Sequence, residues 1–301
     1  MPVISLRIAN LTIEIDSDFS FIDRHSNLSR FRIFSIRPDL RCRFRTIPSD
    51  SMTLSSPSES EAMRLSRLIY CPNSVWNSPL LRSPEVRKHI ETIIDHGELV
   101  SANLSFPTVT FLDFAKKEMI SFHTTEHASL LSITGPPAFI LIPYLSQFSG
   151  IMLHCAGILR NGKVALFMAP DEGGKTTVAL SAETGFILGD DQVVLRREKD
   201  TLVAYGTPWG CYNTPHRSGM VAGIFLLKKS NSFSLTPLKP SVLIEYLIKE
   251  LRPQWSILPK QLRGVALDFL IKTCHGTKTY RMDFSREYID WNAIDKIMAN
   301  I

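Results

Sequence analysis

Apolar and polar side chains alternate over the first residues of the chain. The apolar members of this pattern are Ile4, Leu6, Ile8, Leu11, Ile13 and Ile15. A period of two is typical of strands with one buried face, and Ala9-Asn10 interrupts it. We therefore predict two strands joined by a turn at the start of the chain.

The pattern of the later segments changes between helical and strand periods. Helices are expected at 84–97, 125–134, 138–149, 175–183, 240–251 and 259–273. Strands are expected at 152–159, 164–168, 186–188, 193–196, 201–205, 221–227 and 280–284. The pattern thus predicts a mixed α/β (α+β) protein, with a smaller N-terminal region at 1–135 and a second domain at 136–301.

The composition is that of a globular protein. Of the 301 residues, 44% are hydrophobic and 21% are charged, which excludes a wholly disordered or collagen-like chain. The formal net charge of +5 is a mild basic excess. It favours anionic ligands such as nucleotide phosphates or an acidic peptide. Because the basic residues do not concentrate along one helix, we expect no nucleic acid partner.

Cysteine usage and hydropathy predict a compartment. The chain has five cysteines, an odd number, and no two of them form a C-x-x-C pair. We therefore expect neither a disulfide framework nor a zinc knuckle. The N-terminus has no signal-peptide pattern. The most apolar window, 138–159, contains Gln147 and His154, whereas a membrane span needs about 20 mostly apolar residues. We expect a protein of the reducing cytoplasm without a membrane partner.

Two segments of the N-terminal region have an unusual composition. Residues 30–46 alternate arginines with apolar side chains, and residues 48–61 are rich in Ser and Pro. The first segment is either a half-buried strand pair with a charged outer face or a binding face for an acidic partner. The second is typical of a loop or a mobile flap. Both are candidates for guiding a substrate.

Residues 169–176, Ala-Pro-Asp-Glu-Gly-Gly-Lys-Thr, match the phosphate-binding P-loop template except at the first position. An apolar strand pattern precedes them and a helical pattern follows, as the motif requires. Gly173 and Gly174 would let the backbone N–H groups approach a phosphate closely. Lys175 would reach the β- and γ-phosphates of ATP, and the Thr176 hydroxyl would bind Mg²⁺.

Two departures keep an alternative open, a Gly-rich turn without a ligand. Ala169 stands where the template has Gly, and Asp171-Glu172 place two carboxylates beside the expected phosphate. The same two departures also support a non-catalytic nucleotide-binding regulator.

Two further elements carry groups suited to phosphoryl transfer. Gly189-Asp190-Asp191 ends an apolar strand. One carboxylate there can hold Mg²⁺ and a second can take the proton of an attacking hydroxyl, while a plain acidic turn is the alternative. His154 lies on the strand before the P-loop, and the strand pair at 152–168 would bring it to the same edge. It is either a core histidine or a group that binds phosphate or orients the base.

Four segments taken together resemble the HPr kinase/phosphorylase-like family. They are Leu153–Gly157, Ala169–Thr177, Gly189–Asp191 and Tyr205–Trp209. More narrowly, they resemble its small HPr-kinase-related enzymes, which include kinases of lasso-peptide precursors. The resemblance implies a phosphoenolpyruvate carboxykinase-like P-loop fold for the second domain, with ATP and Mg²⁺ as cofactors. Related enzymes assemble as oligomers, so a homo-oligomer is one expectation.

The resemblance also implies roles for individual residues. The residues that map on the family's nucleotide-binding loop are Gly173, Gly174, Lys175, Thr176 and Thr177. Asp190 maps on the Mg²⁺ ligand, Asp191 on the catalytic base and His154 on the histidine before the loop. The basic motif that serves HPr binding and the phosphorylase reaction has no match, which puts HPr in doubt as the substrate. His216-Arg217 could supply a cation to the phosphates or belong to a surface loop.

These observations lead to three functional hypotheses. The first is a kinase that transfers the γ-phosphoryl group of ATP to a serine of a peptide or small protein, such as a ribosomal natural-product precursor. The second is a kinase of a free hydroxy compound such as serine. The third is the non-catalytic regulator. In the two kinases, Asp191, His154 and Lys175 would be the catalytic residues.

Overall fold

The structure, a computed structural model, describes most of the chain. The described residues are 3–20, 27–34, 37–52, 69–70, 79–96, 100–103, 108–134, 138–182, 185–210, 212, 217–256, 258 and 260–299. The chain forms two compact units, unit 1 with Met1–Arg7, Leu11–Tyr144 and Pro253–Lys260, and unit 2 with Ile8–Asn10, Leu145–Arg252 and Gln261–Ile301. The domain division between residues 135 and 136 stays a sequence prediction.

Unit 1 is built on one mixed sheet. Its strands are β1 (Val3–Ile8), β2 (Leu11–Ser17), β3 (Arg32–Ile33), β4 (Leu40–Ile47), β5 (Ile69–Tyr70), β6 (Val100–Asn103), β7 (Thr108–Asp113) and β8 (Glu118–Thr124). Among the described residues the strand order is β3-β1-β2-β4-β8-β7-β6-β5. Strand β4 runs parallel to both β2 and β8, whereas β7 and β8 are antiparallel. The two strands expected at the start of the chain are present as β1 and β2.

Helices cover part of this sheet. They are α1 (Pro84–His96) and α2 (Thr125–Thr134), with short 3-10 helices at Asn27–Phe31, Ser49–Ser51 and Pro79–Arg82. One apolar cluster joins α1 and the 3-10 helix before it to the sheet, and its buried members are Ile47, Leu80, Leu81, Val86, Ile90, Val109, Phe111 and Phe122. Burial of this apolar surface stabilises the unit.

The basic segment of unit 1 is a half-buried strand. Along β4 the side chains of Leu40, Cys42 and Phe44 are buried, and the arginines between them face outward. These two arginines contact carboxylates, Arg41 with Glu14 at 3.4 Å and Arg43 with Glu118 at 3.8 Å. Arg45, which follows Phe44 and is only partly exposed, contacts Asp16 at 2.6 Å. The outer face therefore balances its own charge. The Ser/Pro-rich segment is described only as far as residue 52, and the rest of it lies outside the described residues.

Unit 2 is built on a second mixed sheet. Its strands are β9 (Gly150–His154), β10 (Ala156–Arg160), β11 (Lys163–Met168), β12 (Phe186–Gly189), β13 (Gln192–Glu198), β14 (Thr201–Gly206), β15 (Ser218–Lys229), β16 (Ser234–Pro237) and β17 (Thr279–Phe284). The order is β12-β10-β11-β15-β14-β13-β9, and β17 pairs with β15 and β16. Both units thus mix helices with sheets, which confirms the α/β class.

The helices of unit 2 are α3 (Lys175–Leu180), α4 (Pro240–Glu250), α6 (Lys260–Gly276) and α7 (Trp291–Ala299). The short α5 (Arg252–Ser256) follows α4 in the chain, and all of it but Arg252 belongs to unit 1. The predicted helices at 175–183, 240–251 and 259–273 are therefore present with shifted ends. Helix α7 was not predicted. No helix of the described residues is long and apolar enough to cross a membrane.

Two predicted elements take a different form in the structure. The segment 138–149 forms 3-10 helices, Ala138–Ile140 and Ile142–Phe148, rather than one α-helix. Pro143 lacks the N–H that an α-helix would need inside this segment. The strand expected at 152–159 is broken at Cys155, because β9 pairs with β13 whereas β10 pairs with β11 and β12.

Three parallel strands end at one edge of the second sheet. Strand β15 runs parallel to β11 on one side and to β17 on the other. The P-loop segment follows β11, Ser230 follows β15, and Ser285-Arg286 follows β17. Loops at the carboxyl ends of parallel strands are common ligand sites, because such strands bring their following loops together.

Candidate active site

The P-loop segment joins β11 to α3 through a tight turn that needs its glycines. Gly174 has φ +99°, and a Cβ there would lie 2.5 Å from Cζ of Phe284. A Cβ on Gly173 would lie 2.4 Å from the Cβ of Ala169. Glu172 also has a left-handed φ of +60°. The off-template Ala169 is thus a buried residue that packs on the turn, and glycine is required opposite it.

Lys175 is the buried cation of this turn. Its side chain is 8% exposed, and Nζ donates to the carbonyl oxygens of Ala169 at 2.9 Å and Pro170 at 3.2 Å. The Oδ1 atom of Asp171 lies 4.0 Å from the same ammonium, and the Asp171 side chain is 90% exposed. Two of the three ammonium protons are therefore held by the loop, which leaves one for another acceptor.

His154 and Asp191 meet at the end of two antiparallel strands. His154 is the last residue of β9, and Gln192 of β13 is its partner in the register. The backbone N–H of Cys155 donates to the Asp191 carbonyl at 2.9 Å. This arrangement brings His154 Nε2 to 3.0 Å from Asp191 Oδ1.

The His154–Asp191 contact changes the pKa of both groups. The hydrogen bond to Asp191 raises the pKa of His154 above its usual value, against the opposing effects of burial and of the Lys175 charge. The same bond, with Lys175 nearby, lowers the pKa of Asp191 below its usual value. The contact therefore favours an imidazolium beside a carboxylate.

Two more carboxylates reach the same imidazole. Glu250, the last residue of α4, places Oε1 3.3 Å from His154 Nδ1. Asp171 Oδ1 lies 3.7 Å from His154 Nε2. No role of Glu250 was predicted from the sequence. The only available signal was an acidic residue at the end of a predicted amphipathic helix, and nothing local pairs it with His154.

Asp190 and Thr176 fit the donor set that Mg²⁺ requires. The Asp190 side chain is buried and its Oδ1 accepts the backbone N–H of Tyr212 at 3.3 Å, whereas the Thr176 side chain is exposed. No group of three or more His, Cys, Asp or Glu within the described residues is arranged to hold a metal. Mg²⁺ commonly takes only one or two protein oxygens and completes its shell with water and substrate phosphates. The Thr176 hydroxyl and the Asp190 carboxylate are oxygen donors that suit that chemistry.

A cavity of about 260 Å³ opens on the other side of the P-loop turn. Its lining residues are Glu172, Gly174, Thr177, Lys229, Ser230, Phe284, Ser285 and Arg286. They come from the P-loop turn and α3, which follow β11, and from the ends of β15 and β17 and the residues just after them, so the cavity lies at the edge described above. Lys229 and Arg286 are exposed, and neither forms an ion pair with another described residue. The cavity suits an anionic ligand, and neither of its two cations was predicted from the sequence.

Other predicted residues lie elsewhere in unit 2. The guanidinium of Arg217 stacks over the Phe186 ring at 3.8 Å, and His216 lies outside the described residues. Thr207, from the segment Tyr205–Trp209, is fully buried and donates to the Gln192 carbonyl at 2.8 Å. That segment thus supports the strand that follows Asp191.

Comparisons with known proteins gave a weak likeness to solved structures. No family model matches the chain, and no curated protein matches it. Among solved structures, the Hpr(Ser) kinase/phosphatase from Coxiella burnetii matches with 11% sequence identity and a TM-score of 0.26. The match covers 50% of this chain and 94% of that chain.

Proposed function

We propose that this chain is a phosphotransferase that moves the γ-phosphoryl group of ATP to a serine hydroxyl of a peptide or small protein. The observation that carries the proposal is the Asp191–His154 pair beside the P-loop lysine. Asp171 Oδ1 lies within 4.0 Å of both His154 Nε2 and Lys175 Nζ. The imidazole of His154, which contacts Asp191, and the ammonium of Lys175 thus both lie near one exposed carboxylate.

On the donor side, the loop and the cavity divide the nucleotide between them. Lys175 and the loop N–H groups would hold the terminal phosphates, which requires the exposed Asp171 carboxylate to give way to phosphate oxygens. The cavity, with Lys229 and Arg286, would hold the nucleoside and its proximal phosphates. Its position at the ends of parallel strands, next to Gly174 and Thr177, supports this division.

On the acceptor side, Asp191 would receive the proton. Its Oδ1 accepts from His154, which leaves Oδ2 for the acceptor hydroxyl. The hydroxyl oxygen forms a bond to the γ-phosphorus, the bond from that phosphorus to the β-phosphate oxygen breaks, and the hydroxyl proton passes to Asp191. Because phosphoryl transfer is largely dissociative, a carboxylate of low pKa is sufficient to orient the hydroxyl and take its proton.

Mg²⁺, held by Asp190 and Thr176 when bound, would neutralise charge on the phosphates. The Asp191 side chain is 47% exposed, so an acceptor hydroxyl can reach the carboxylate from solvent.

The test is phosphate transfer from Mg·ATP into a peptide pool, read by mass spectrometry. We expect Asp191→Asn to lower transfer by about 10²–10⁴-fold, the usual contribution of a positioned base. The variant should keep the thermal stabilisation that Mg·ATP gives the wild type, because the loop is unchanged. Lys175→Ala should lose both phosphate transfer and the thermal stabilisation by Mg·ATP. The control is Asp200→Asn, which changes an exposed carboxylate in the turn between β13 and β14.

The outcomes separate the three hypotheses. Near-normal transfer by Asp191→Asn would refute its role as the base. A phosphorylated product from free serine but not from peptides would favour the small-molecule kinase. Stabilisation by Mg·ATP without product from either acceptor would favour the regulator.

A further inference from the structure

His154 is held between carboxylates at both ring nitrogens. Nε2 lies 3.0 Å from Asp191 Oδ1, and Nδ1 lies 3.3 Å from Glu250 Oε1. Glu250 comes from α4, and 96 residues separate it from His154 in the chain. A neutral imidazole has one N–H, so it can donate to only one of the two carboxylates. Only the imidazolium donates to both.

The position of Glu250 on its helix makes this contact specific. A negative charge at the C-terminal end of a helix lies at the negative end of the helix dipole, so the charge of Glu250 does not stabilise α4. Glu245 on the same helix behaves differently, because it is 71% exposed and pairs with Lys249 at 2.7 Å. Glu250 has 27% of its side chain exposed and is turned toward His154.

We propose that Glu250 is a positioning residue, which holds His154 with a proton on both ring nitrogens so that Asp191 keeps Oδ2 directed to the acceptor hydroxyl. This inference rests on the proposed function. Glu250 acts through His154 and touches neither substrate nor the reacting atoms. Its removal leaves Nδ1 without its acceptor, and the imidazole loses both its fixed ring orientation and part of its preference for the charged form.

Other charged groups around the imidazole set the background for this effect. Asp191, Asp171 and Glu250 favour the imidazolium, and Lys175 opposes it. The Tyr246 hydroxyl on α4 has no hydrogen-bond partner among the described residues, and burial, with the charge of Glu250 nearby, raises its pKa, so it stays neutral. The Cys155 thiol is buried with a raised pKa and stays neutral too. Glu250 is therefore the carboxylate that a substitution can change without altering the loop or the base.

The test compares Glu250→Gln with Glu245→Gln in the full chain. Gln keeps the shape and an acceptor oxygen but removes the charge. We expect the His154 titration midpoint, read by NMR of the ring nitrogens, to fall in Glu250→Gln and to stay at the wild-type value in Glu245→Gln. We expect kcat to fall about tenfold with the KM for ATP unchanged, as for other residues that orient a catalytic group. Glu250→Asp, which keeps the negative charge, should bring both the His154 midpoint and kcat part of the way back to the wild-type values.

An unchanged His154 midpoint in Glu250→Gln would overturn the inference whatever the activity. A lowered midpoint with unchanged kcat would overturn the positioning role, because the charge would then have no effect on transfer. If the wild type itself transfers no phosphate, the proposed function fails, and with it the positioning role, although the NMR shift would still establish the contact. Should Glu250→Gln fail to fold, Glu250→Asp is compared with Glu245→Asp by the same two measurements.

Discussion

At the scale of the residue, neighbouring lysines at the end of β15 have different surroundings. Successive side chains of a strand point to opposite faces. Lys229 lines the cavity beside the P-loop, and Lys228 does not. Both are exposed, so each substitution removes the same charge from the surface. The pair allows a local contact with the nucleotide to be separated from the general effect of net charge.

We predict that Lys229→Ala raises the dissociation constant for Mg·ATP about three- to tenfold, the loss of one exposed charge-assisted contact to phosphate. The affinity of Lys228→Ala should equal that of the wild type. Isothermal titration with Mg·ATP measures both. An equal loss of Mg·ATP affinity in the two variants would show that only net charge matters. It would contradict the proposal that the nucleotide binds in the cavity.

At the scale of the element, α7 is held to the sheet by a guanidinium. Arg160 of β10 donates from Nε and Nη2 to the two carboxylate oxygens of Asp295 at 2.8 and 2.6 Å. Its guanidinium also lies 5.0 Å from the centre of the Trp291 ring. The side chain of Arg160 is only 10% exposed. A planar, bidentate and largely buried contact of this kind contributes more than a surface ion pair.

We predict that Arg160→Ala lowers the free energy of unfolding by about 2 kcal/mol, through lost charged hydrogen bonds and lost stacking on the indole. Arg281→Ala is the control, since Arg281 is 46% exposed where it contacts Asp283, and its loss should cost less than about 1 kcal/mol. Urea unfolding of the full chain measures both. Equal losses in the two variants would contradict a special role of Arg160 in holding α7.

At the scale of the whole molecule, stability depends on pH through histidines of opposite behaviour. Both ring nitrogens of His123 are buried without a partner among the described residues, and the ring stacks on Phe44 at 5.5 Å. Burial, and then the charge of His127, lowers the pKa of His123 to about 3. The unfolded chain then binds a proton below pH 6.5 that the folded chain does not, so this site destabilises the fold as pH falls.

The contribution of His154 to stability changes with pH in the opposite direction to that of His123. Its raised pKa contributes stability that is fully present below the unfolded value of 6.5 and is lost as pH rises through the folded value. The lowered pKa of Asp191 contributes stability that is present above 3.8 and is lost as pH falls through the folded value. The pair is therefore most stabilising between about pH 4 and 6.5.

We predict that His123→Phe makes the protein less sensitive to acid, because the variant keeps the ring stacking without a group to protonate. Relative to the wild type, its free energy of unfolding should rise by up to about 1.4 kcal/mol for each pH unit below 6.5, the limit for one proton. Denaturant unfolding at several pH values measures this. His275→Gln, at an exposed position, should follow the wild type. A constant difference between His123→Phe and the wild type across pH would contradict the assignment.

Local signals in the sequence were sufficient for much of the fold and for the phosphate loop. Alternation predicted β1 and β2, and helical periods predicted α1, α2 and α6, because each depends on side chains a few residues apart. Gly173 and Gly174 could be assigned to a tight loop for the same reason, since the constraint lies in the turn itself. The break at Cys155 could not be predicted, because it depends on which strands β9 and β10 join.

By itself, the sequence determined the mixed α/β class, the glycines and lysine of the loop, and the presence of carboxylates after a buried strand. These follow from residue type and short spacing. Only the tertiary structure decided that His154 contacts both Asp191 and Glu250, and that Lys229 and Arg286 share a cavity with the loop. Those contacts join residues far apart in the chain, and the strand order that creates them depends on packing of the whole unit rather than on any local pattern.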